Sequence, residues 1–290
     1  MKIDLSQSSY TLVDSGQLRK LEKFGPYLID RPCAQAVWQP QLQQNEWSKA
    51  DAAFTREGES RWLKKRQLPE SWTISVSDLL FKISPTDFGH LGIFPEQRDF
   101  WRWIEETIRQ AIVKGRSSIN VLNLFAYSGG ATLAAAKGGA HVCHLDASKG
   151  MVSWARENAA LNQLDRAPIR WIVDDVNKFL NRELKRNVRY DAIILDPPSF
   201  GRGNRGEVFK IEEDLPGILN SCKALLSENP LFVLFSCHTP GFTPLSMHHL
   251  LSQLMRESKG TVDAGEMILQ GENPYILSLP SGVYARWSHA

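Results

Sequence analysis

Hydrophobic and polar positions in the second part of the chain follow two alternating patterns. Short apolar runs predict buried strands near residues 119–125, 141–145, 169–173, 191–195 and 231–236. After each run comes a segment with helical spacing, near residues 130–137, 149–161, 176–185, 213–227 and 244–258. Because strands and helices alternate, we expect a parallel sheet with helices on both faces.

The two ends of the chain have different patterns. Residues 261–270 and 275–287 predict two strands too close in sequence for a crossover helix, so they should form a hairpin at an antiparallel edge of the sheet. The predicted fold class is therefore α/β, with a doubly wound and mostly parallel seven-stranded sheet. In the N-terminal part, turn residues separate short mixed segments, and residues 72–83 alternate as two strands. We expect a small β-rich domain for substrate recognition, residues 1–85, before a larger domain, residues 86–290.

Composition narrows the possible functions only a little. The chain has 290 residues, 42% of them hydrophobic, and a net charge of +2. It can therefore bury a large core, and its charge neither favours nor excludes a nucleic-acid partner. The four cysteines are scattered without metal-ligand spacing, which fits a reducing compartment and predicts no metal site. The N-terminus lacks a signal-peptide pattern and no apolar run reaches membrane-spanning length, so we expect a cytoplasmic protein without a membrane partner.

A glycine turn follows the first of these predicted strands. Ser128, Gly129 and Gly130 turn the chain sharply, and the Ala-rich segment after them is helical in character. A strand, a tight glycine turn and a helix let a nucleotide lie close to the backbone. Asp146, which closes the next strand, would meet ribose hydroxyls. The turn lacks Gly-x-Gly-x-x-Gly spacing, which disfavours a dinucleotide and hence a nicotinamide-dependent oxidoreductase.

The most informative local signal is the Asp-Pro-Pro-Ser-Phe stretch at residues 196–200. Asp196 places a carboxylate at the carboxyl end of a predicted parallel strand, where open α/β sheets bind ligands. Pro197 and Pro198 remove two backbone donors and leave the carbonyl oxygens free to accept hydrogen bonds. Phe200 offers a face on which a planar base could stack. These features favour a planar substrate with an amino or imino edge over the alternative, a rigid strand-to-loop turn.

Two other positions have two possible roles each. Asp175 could accept a hydrogen bond from an adenine amino group, with Val176 against the ring, or it could cap the helix that follows, and one residue can do both. Gln97 and Arg98, at the start of a helix predicted over residues 100–114, would meet the charged amino-acid end of a ligand or serve as ordinary first-turn polar residues.

Four motifs in this order carry a family resemblance. They are Asn-Leu-Phe-Ala-Tyr-Ser-Gly-Gly (123–130), Leu-Asp-Ala-Ser (145–148), Asp-Asp-Val (174–176) and Asp-Pro-Pro-Ser-Phe (196–200). Together they resemble the motifs of class I S-adenosylmethionine-dependent methyltransferases. More narrowly, they are similar to the bacterial family that contains the 23S rRNA cytosine-5 methyltransferase and its guanine-modifying relatives. The Gly-Ile-Phe-Pro-Glu-Gln-Arg stretch (92–98) resembles that family's motif before the catalytic domain, so the likeness covers roughly residues 70–290.

The resemblance implies a Rossmann-like fold, S-adenosyl-L-methionine as cofactor, and RNA, ribosomal in particular, as the substrate methylated on a base. The cofactor-binding positions that it implies are Phe125, Ala126, Tyr127, Ser128, Gly129, Gly130, Asp146, Ala147, Ser148, Asp175 and Val176. The base being methylated would be held by Asp196, Pro197, Pro198 and Phe200. The protein would not need to activate the methyl group, because a sulfonium is already an activated methyl donor. It would mainly position the two substrates and exclude water from them.

Cys237 has two possible roles, and each implies a different mechanism. It follows the fifth predicted strand and resembles the cysteine of the cytosine-5 enzymes' Ser-Cys motif, where a thiolate would add to the base ring and leave after methylation. The alternative is a small buried cysteine with a packing role. His238 would lower the pKa of the thiol or point elsewhere, since neighbours on a strand face opposite ways.

Other functions stay open at this stage. A small-molecule or protein methyltransferase of the same fold would use the Asp-Pro-Pro turn on a planar amine. A non-catalytic relative would keep the fold and bind RNA without transferring a methyl group.

Overall fold

The computed structural model describes residues 9–56, 60–64, 68–202, 208–271 and 273–289. The chain forms two compact units, Met1–Arg98 with Ile268–Ser281 and Asp99–Met267 with Gly282–Ala290. The domain boundary at residue 85 and the role of the N-terminal part in substrate recognition stay predictions.

The first unit contains a five-stranded sheet in the order β1-β2-β3-β4-β5. Its strands are β1 (Tyr10–Gly16), β2 (Arg19–Phe24), β3 (Tyr27–Pro32), β4 (Ala52–Thr55) and β5 (Arg61–Lys64), with the one-turn helix α1 (Gln44–Trp47) before β4. The strands β3 and β4 pair in parallel, whereas the other neighbours are antiparallel. The expected β-rich character of this region is confirmed.

The same unit contains a hairpin of β6 (Trp72–Val76) and β7 (Leu79–Ile83), in agreement with the alternation of residues 72–83. Ser77 and Asp78 form its turn with φ angles of 52° and 59°, the left-handed values of a type I′ two-residue loop. A 3-10 turn, Pro95–Gln97, then leads into α2 (Arg98–Val113).

The second unit is built on a seven-stranded sheet in the order β10-β9-β8-β11-β14-β16-β15. Its strands are β8 (Asn120–Leu124), β9 (His141–Asp146), β10 (Ile169–Val173), β11 (Ala192–Leu195), β14 (Phe232–Cys237), β15 (Thr261–Leu269) and β16 (Leu279–Ser288). Its further helices are α3 (Gly130–Lys137), α4 (Lys149–Leu161), α5 (Val176–Lys185), α6 (Ile211–Leu225) and α7 (Pro244–Leu254).

The strand order places a crevice in the middle of this sheet. The strands β10, β9, β8, β11 and β14 run parallel, and β16 pairs antiparallel with β14. The direction of winding reverses between β8 and β11, and open α/β sheets bind ligands beyond the carboxyl ends of the strands at such a point. The predicted fold class is therefore confirmed, including the antiparallel edge.

The burial pattern explains why these segments form these elements. Every residue of β11 and β14 is buried, so both strands are apolar or small throughout and lack the alternation of a half-exposed strand. The helix α2 instead buries Trp101, Ile104 and Ile108 at helical spacing on one face.

One element was not predicted from the sequence. Between the Asp-Pro-Pro turn and α6, the chain forms an antiparallel hairpin of β12 (Phe200–Arg202) and β13 (Val208–Lys210). Across the described residues, no helix is both long and apolar enough to cross a membrane.

Candidate active site

The backbone between β8 and α3 is held in an uncommon conformation. Phe125 and Tyr127 have φ angles of 54° and 50°, and Gly129, the N-cap of α3, has 95°. Left-handed φ at two aromatic residues costs free energy, and such residues cluster at ligand sites where the surroundings hold them in place. The Ala126 N–H donates to the Leu145 carbonyl at 3.0 Å, which ties this turn to β9.

Packing explains the glycine that opens α3. A Cβ on Gly130 would lie 2.6 Å from Cζ2 and 2.9 Å from Nε1 of Trp101, a buried residue of α2. The close approach of this ring therefore requires glycine.

Asp146 holds the same turn from the neighbouring strand. Its Oδ2 accepts the Tyr127 N–H at 2.9 Å, and its Oδ1 accepts the Ser148 N–H at 2.8 Å. Burial raises the pKa of this carboxyl, and the two backbone donors oppose that effect only in part. Ser148 in turn caps α4 by accepting the Met151 N–H at 3.3 Å. The carboxylate thus lies at the rim of the crevice with its orientation set by the backbone.

A buried polar network contacts the glycine turn and the elements that flank it. The Asn158 Nδ2 donates to the Ser128 carbonyl at 2.9 Å. The Asn123 Nδ2 donates to Thr132 Oγ1 at 2.9 Å, and that hydroxyl lies 2.9 Å from His144 Nδ1. Since the Asn123 amide can only donate there, the hydroxyl proton is assigned to the bond with Nδ1.

His144 is the titratable member of this network. Its side chain is fully buried in β9. Burial, together with the charge of Arg156, lowers the pKa of His144 to about 3, so the imidazole is neutral at physiological pH.

At the end of β10, Asp175 caps α5. Its Oδ1 accepts the Lys178 N–H at 2.9 Å, and Val176, the first helical residue, is buried. The capping role is therefore confirmed, and the contact of both residues with adenine stays a prediction.

The Asp-Pro-Pro turn follows β11 directly. Phe200, at the start of β12, is 52% exposed. The Ser199 and Thr239 hydroxyls lie 2.8 Å apart and join this turn to the end of β14. Phe209 of β13 lies against Phe125 with ring centroids 5.2 Å apart, so the hairpin packs on the glycine turn.

Asp196 has a partner that the sequence pattern does not reveal. Its Oδ1 lies 3.2 Å from Nδ1 of His238, which follows β14. The two strands are parallel neighbours with Leu195 opposite Phe235, so the residues that follow them meet at the same edge of the sheet.

Cys237 is placed differently from its neighbour. Its side chain is fully buried in the main core, and its Sγ accepts the Thr239 N–H at 3.4 Å. Burial raises the pKa of the thiol, although the Thr239 N–H acts in the opposite direction. These observations favour the packing role, while nucleophilic attack by Cys237 stays a prediction.

The structure thus brings most of the candidate residues to the carboxyl ends of five adjacent strands: residues 125–130 after β8, 146–148 after β9, 175–176 after β10, 196–200 after β11 and Cys237 at the end of β14. Gln97 and Arg98 belong to the first unit, and their contact with a cofactor stays a prediction. The sequence analysis missed the pairing of His238 with Asp196 and the network around His144.

Comparison with known proteins agrees with this geometry. Residues 34–260 match the family of S-adenosylmethionine-dependent methyltransferases. A solved structure of an S-adenosylmethionine-dependent methyltransferase from Agrobacterium tumefaciens is 39% identical and superposes with a TM-score of 0.91, covering 97% of this chain and 91% of that one.

Curated relatives match over shorter stretches. The ribosomal RNA large subunit methyltransferase K/L of Pseudoalteromonas atlantica is 32% identical over 203 residues, 69% of this chain and 26% of the relative. The ribosomal RNA large subunit methyltransferase I of Aeromonas salmonicida is 32% identical over 214 residues, 68% of this chain and 48% of the relative. The chain therefore spans less than half the length of either relative.

Proposed function

The chain belongs to the family of S-adenosylmethionine-dependent methyltransferases, and from this premise we propose that it methylates a base in RNA, with ribosomal RNA as the substrate class. Family membership establishes the reaction type and the cofactor. The proposal for the substrate rests on the turn at residues 196–200. It is supported by the names of the curated relatives, which act on ribosomal RNA of the large subunit.

The side chains at the crevice fit the cofactor chemically. S-adenosylmethionine supplies, when bound, a methyl group activated on a cationic sulfonium, and its ribose hydroxyls are hydrogen-bond donors. Asp146 offers a carboxylate whose backbone partners leave lone pairs for further donors. Asp146 would hold the ribose hydroxyls, the glycine turn would line the methionine portion, and Asp175 with Val176 would contact adenine.

The turn at residues 196–200 carries the proposal for the substrate. It lies beside the glycine turn in the crevice between β8 and β11, where the cofactor and the second substrate must meet. Asp196 supplies acceptor oxygens for an amino or imino edge, and the exposed ring of Phe200 supplies a stacking face. Stacking on an aromatic side chain and hydrogen bonding to the base edge are the usual means of recognising an unpaired RNA base.

We infer that the methylated atom is a nitrogen. Methylation of a cytosine carbon requires a thiolate that adds to the ring, and burial of Cys237 disfavours that charged form. A nitrogen with its own lone pair needs no covalent addition. Acceptor oxygens near Asp196 would orient its N–H groups toward the turn.

Transfer of labelled methyl from S-adenosylmethionine tests this function. The substrate would be RNA from cells that lack the protein, with protein and small-molecule fractions run in parallel, and labelled RNA would be digested to nucleosides. We expect label in one RNA nucleoside, on nitrogen, and its loss in Asp196→Ala. The matched control is His249→Ala, since His249 is exposed on α7. Label confined to the protein or small-molecule fraction would overturn the RNA assignment and leave the reaction type intact.

A further inference from the structure

His238 and Asp196 form a pair at the catalytic edge of the sheet. The side chains approach through Nδ1 and Oδ1 at 3.2 Å, although the residues are 42 positions apart. The His238 side chain is 31% exposed and the Asp196 side chain 20% exposed. The Asp196 carboxylate therefore contacts the imidazole at Nδ1, and part of the His238 side chain is exposed to solvent.

The antiparallel edge of the sheet leaves room for this imidazole. Gly282 of β16 has a φ angle of 112°, and a Cβ there would lie 3.0 Å from Cδ2 of His238 and 2.9 Å from the Cys237 carbonyl oxygen. A side chain at position 282 would therefore press on the histidine ring and on the strand that carries it. The glycine at position 282 thus leaves space for the His238 ring at this edge of the sheet.

The proposed nitrogen methylation requires a proton acceptor. An amino or imino nitrogen that gains a methyl group becomes positively charged and must lose its N–H proton. The Ser199 and Thr239 hydroxyls bond each other, and the Cys237 thiol is buried. A histidine imidazole commonly serves as a general base near neutral pH, and His238 supplies one at this edge of the sheet.

We propose that His238, oriented by Asp196, accepts the proton that the base nitrogen releases on methylation; this inference rests on the proposed function. The nitrogen lone pair forms the bond to the methyl carbon, and the carbon–sulfur bond breaks with its electron pair left on sulfur. The N–H proton passes to Nε2 of His238, and Nδ1 keeps its contact with Asp196. The carboxylate stabilises the imidazolium until the proton leaves to solvent, the role of the aspartate in other His–Asp pairs.

Titratable groups near His238 include Asp196, after β11, and its chain neighbour Cys237, on β14. From the antiparallel edge, Gly282 of β16 approaches the ring and has no titratable side chain. The comparison of wild type with His238→Ala shows how much of a change in rate with pH depends on this imidazole.

The test compares wild type, His238→Ala and the control His249→Ala. The readouts are kcat between pH 5.5 and 8.5 with ribosomal RNA from cells that lack the protein, and binding of S-adenosylhomocysteine by calorimetry. For His238→Ala we expect kcat to fall about 10²-fold and added imidazole to restore part of it. In wild type kcat should rise with pH as an imidazole loses its proton, and His238→Ala should lose this rise. Binding of S-adenosylhomocysteine should be unchanged in both variants.

Other outcomes separate the two hypotheses. Suppose that a base nitrogen is methylated. If His238→Ala then keeps the wild-type kcat, or if imidazole does not rescue it and its kcat rises with pH as in wild type, the proton-acceptor role is overturned and the RNA substrate stays in place. Label on a base carbon would overturn the role as well. If wild type methylates no RNA, the proposed function fails and the inference fails with it.

Discussion

Acidification should destabilise the second unit through His144. This imidazole is fully buried beneath the glycine turn, and its pKa is lowered to about 3 from the ordinary 6.5. Between these values the unfolded chain binds a proton at this position that the folded chain does not. The free energy of unfolding therefore falls as pH drops below 6.5, and the loss is complete only near the folded pKa.

The magnitude follows from the linkage between protonation and folding. Each pH unit inside this window changes the free energy of unfolding by about 1.4 kcal/mol per histidine, so lowering the pH from 6.5 to 5.0 should cost about 2 kcal/mol. His144→Gln removes the titrating group, keeps a neutral polar side chain and should lose this contribution. The variant is expected to be less stable than wild type at pH 7 because its contact with Thr132 changes, but less sensitive to acid.

Hydrogen exchange read by mass spectrometry would measure this difference, because peptides from β8 and β9 report the unfolding of the second unit alone. His249→Gln, an exposed histidine of α7, is the matched control and should keep the wild-type pH dependence. If His144→Gln loses as much stability as wild type between pH 6.5 and 5.0, the account of a buried neutral imidazole is wrong.

Three further predictions concern the same site. Gly130→Ala should lower the free energy of unfolding by about 1–3 kcal/mol because its Cβ meets the Trp101 ring; an unchanged melting temperature would contradict this packing. Asn158→Ala removes the donor to the Ser128 carbonyl and should cost about 1–3 kcal/mol, with weaker binding of S-adenosylhomocysteine in calorimetry; equal affinity would show that the turn does not need this support. Cys237→Ala should retain methyl transfer in the labelling assay, since the thiol is buried, and complete loss of transfer from a folded variant would restore its role as nucleophile.

The parallel sheet could be predicted because its strands are buried on both faces. The uninterrupted apolar residues of β11 are typical of a buried strand, and the spacing of apolar residues in α2 is typical of a helix with one buried face. The glycine turn and the helix cap at Asp175 could also be predicted, since both depend on local backbone chemistry.

Pairings between distant residues could not be predicted in the same way. The contact of Asp196 with His238 depends on how β11 and β14 are aligned in the sheet. The residues next to Asp196 and His238 in the sequence do not indicate this alignment. The hairpin of β12 and β13 is stabilised by the packing of Phe209 on Phe125, whereas its own glycines and charges indicate a loop. The contact of His144 with Thr132 could not be predicted either, because the two residues belong to different elements, β9 and α3.

The most direct test of the central claim is the nucleoside composition of ribosomal RNA from cells with and without this protein, measured by mass spectrometry. We predict that one methylated nucleoside, with the methyl group on a base nitrogen, disappears when the protein is absent. It should return with wild type and with His249→Ala, but not with Asp196→Ala. Ribosomal RNA with the same methylated nucleosides in the presence and absence of the protein would contradict the assignment of ribosomal RNA as the substrate.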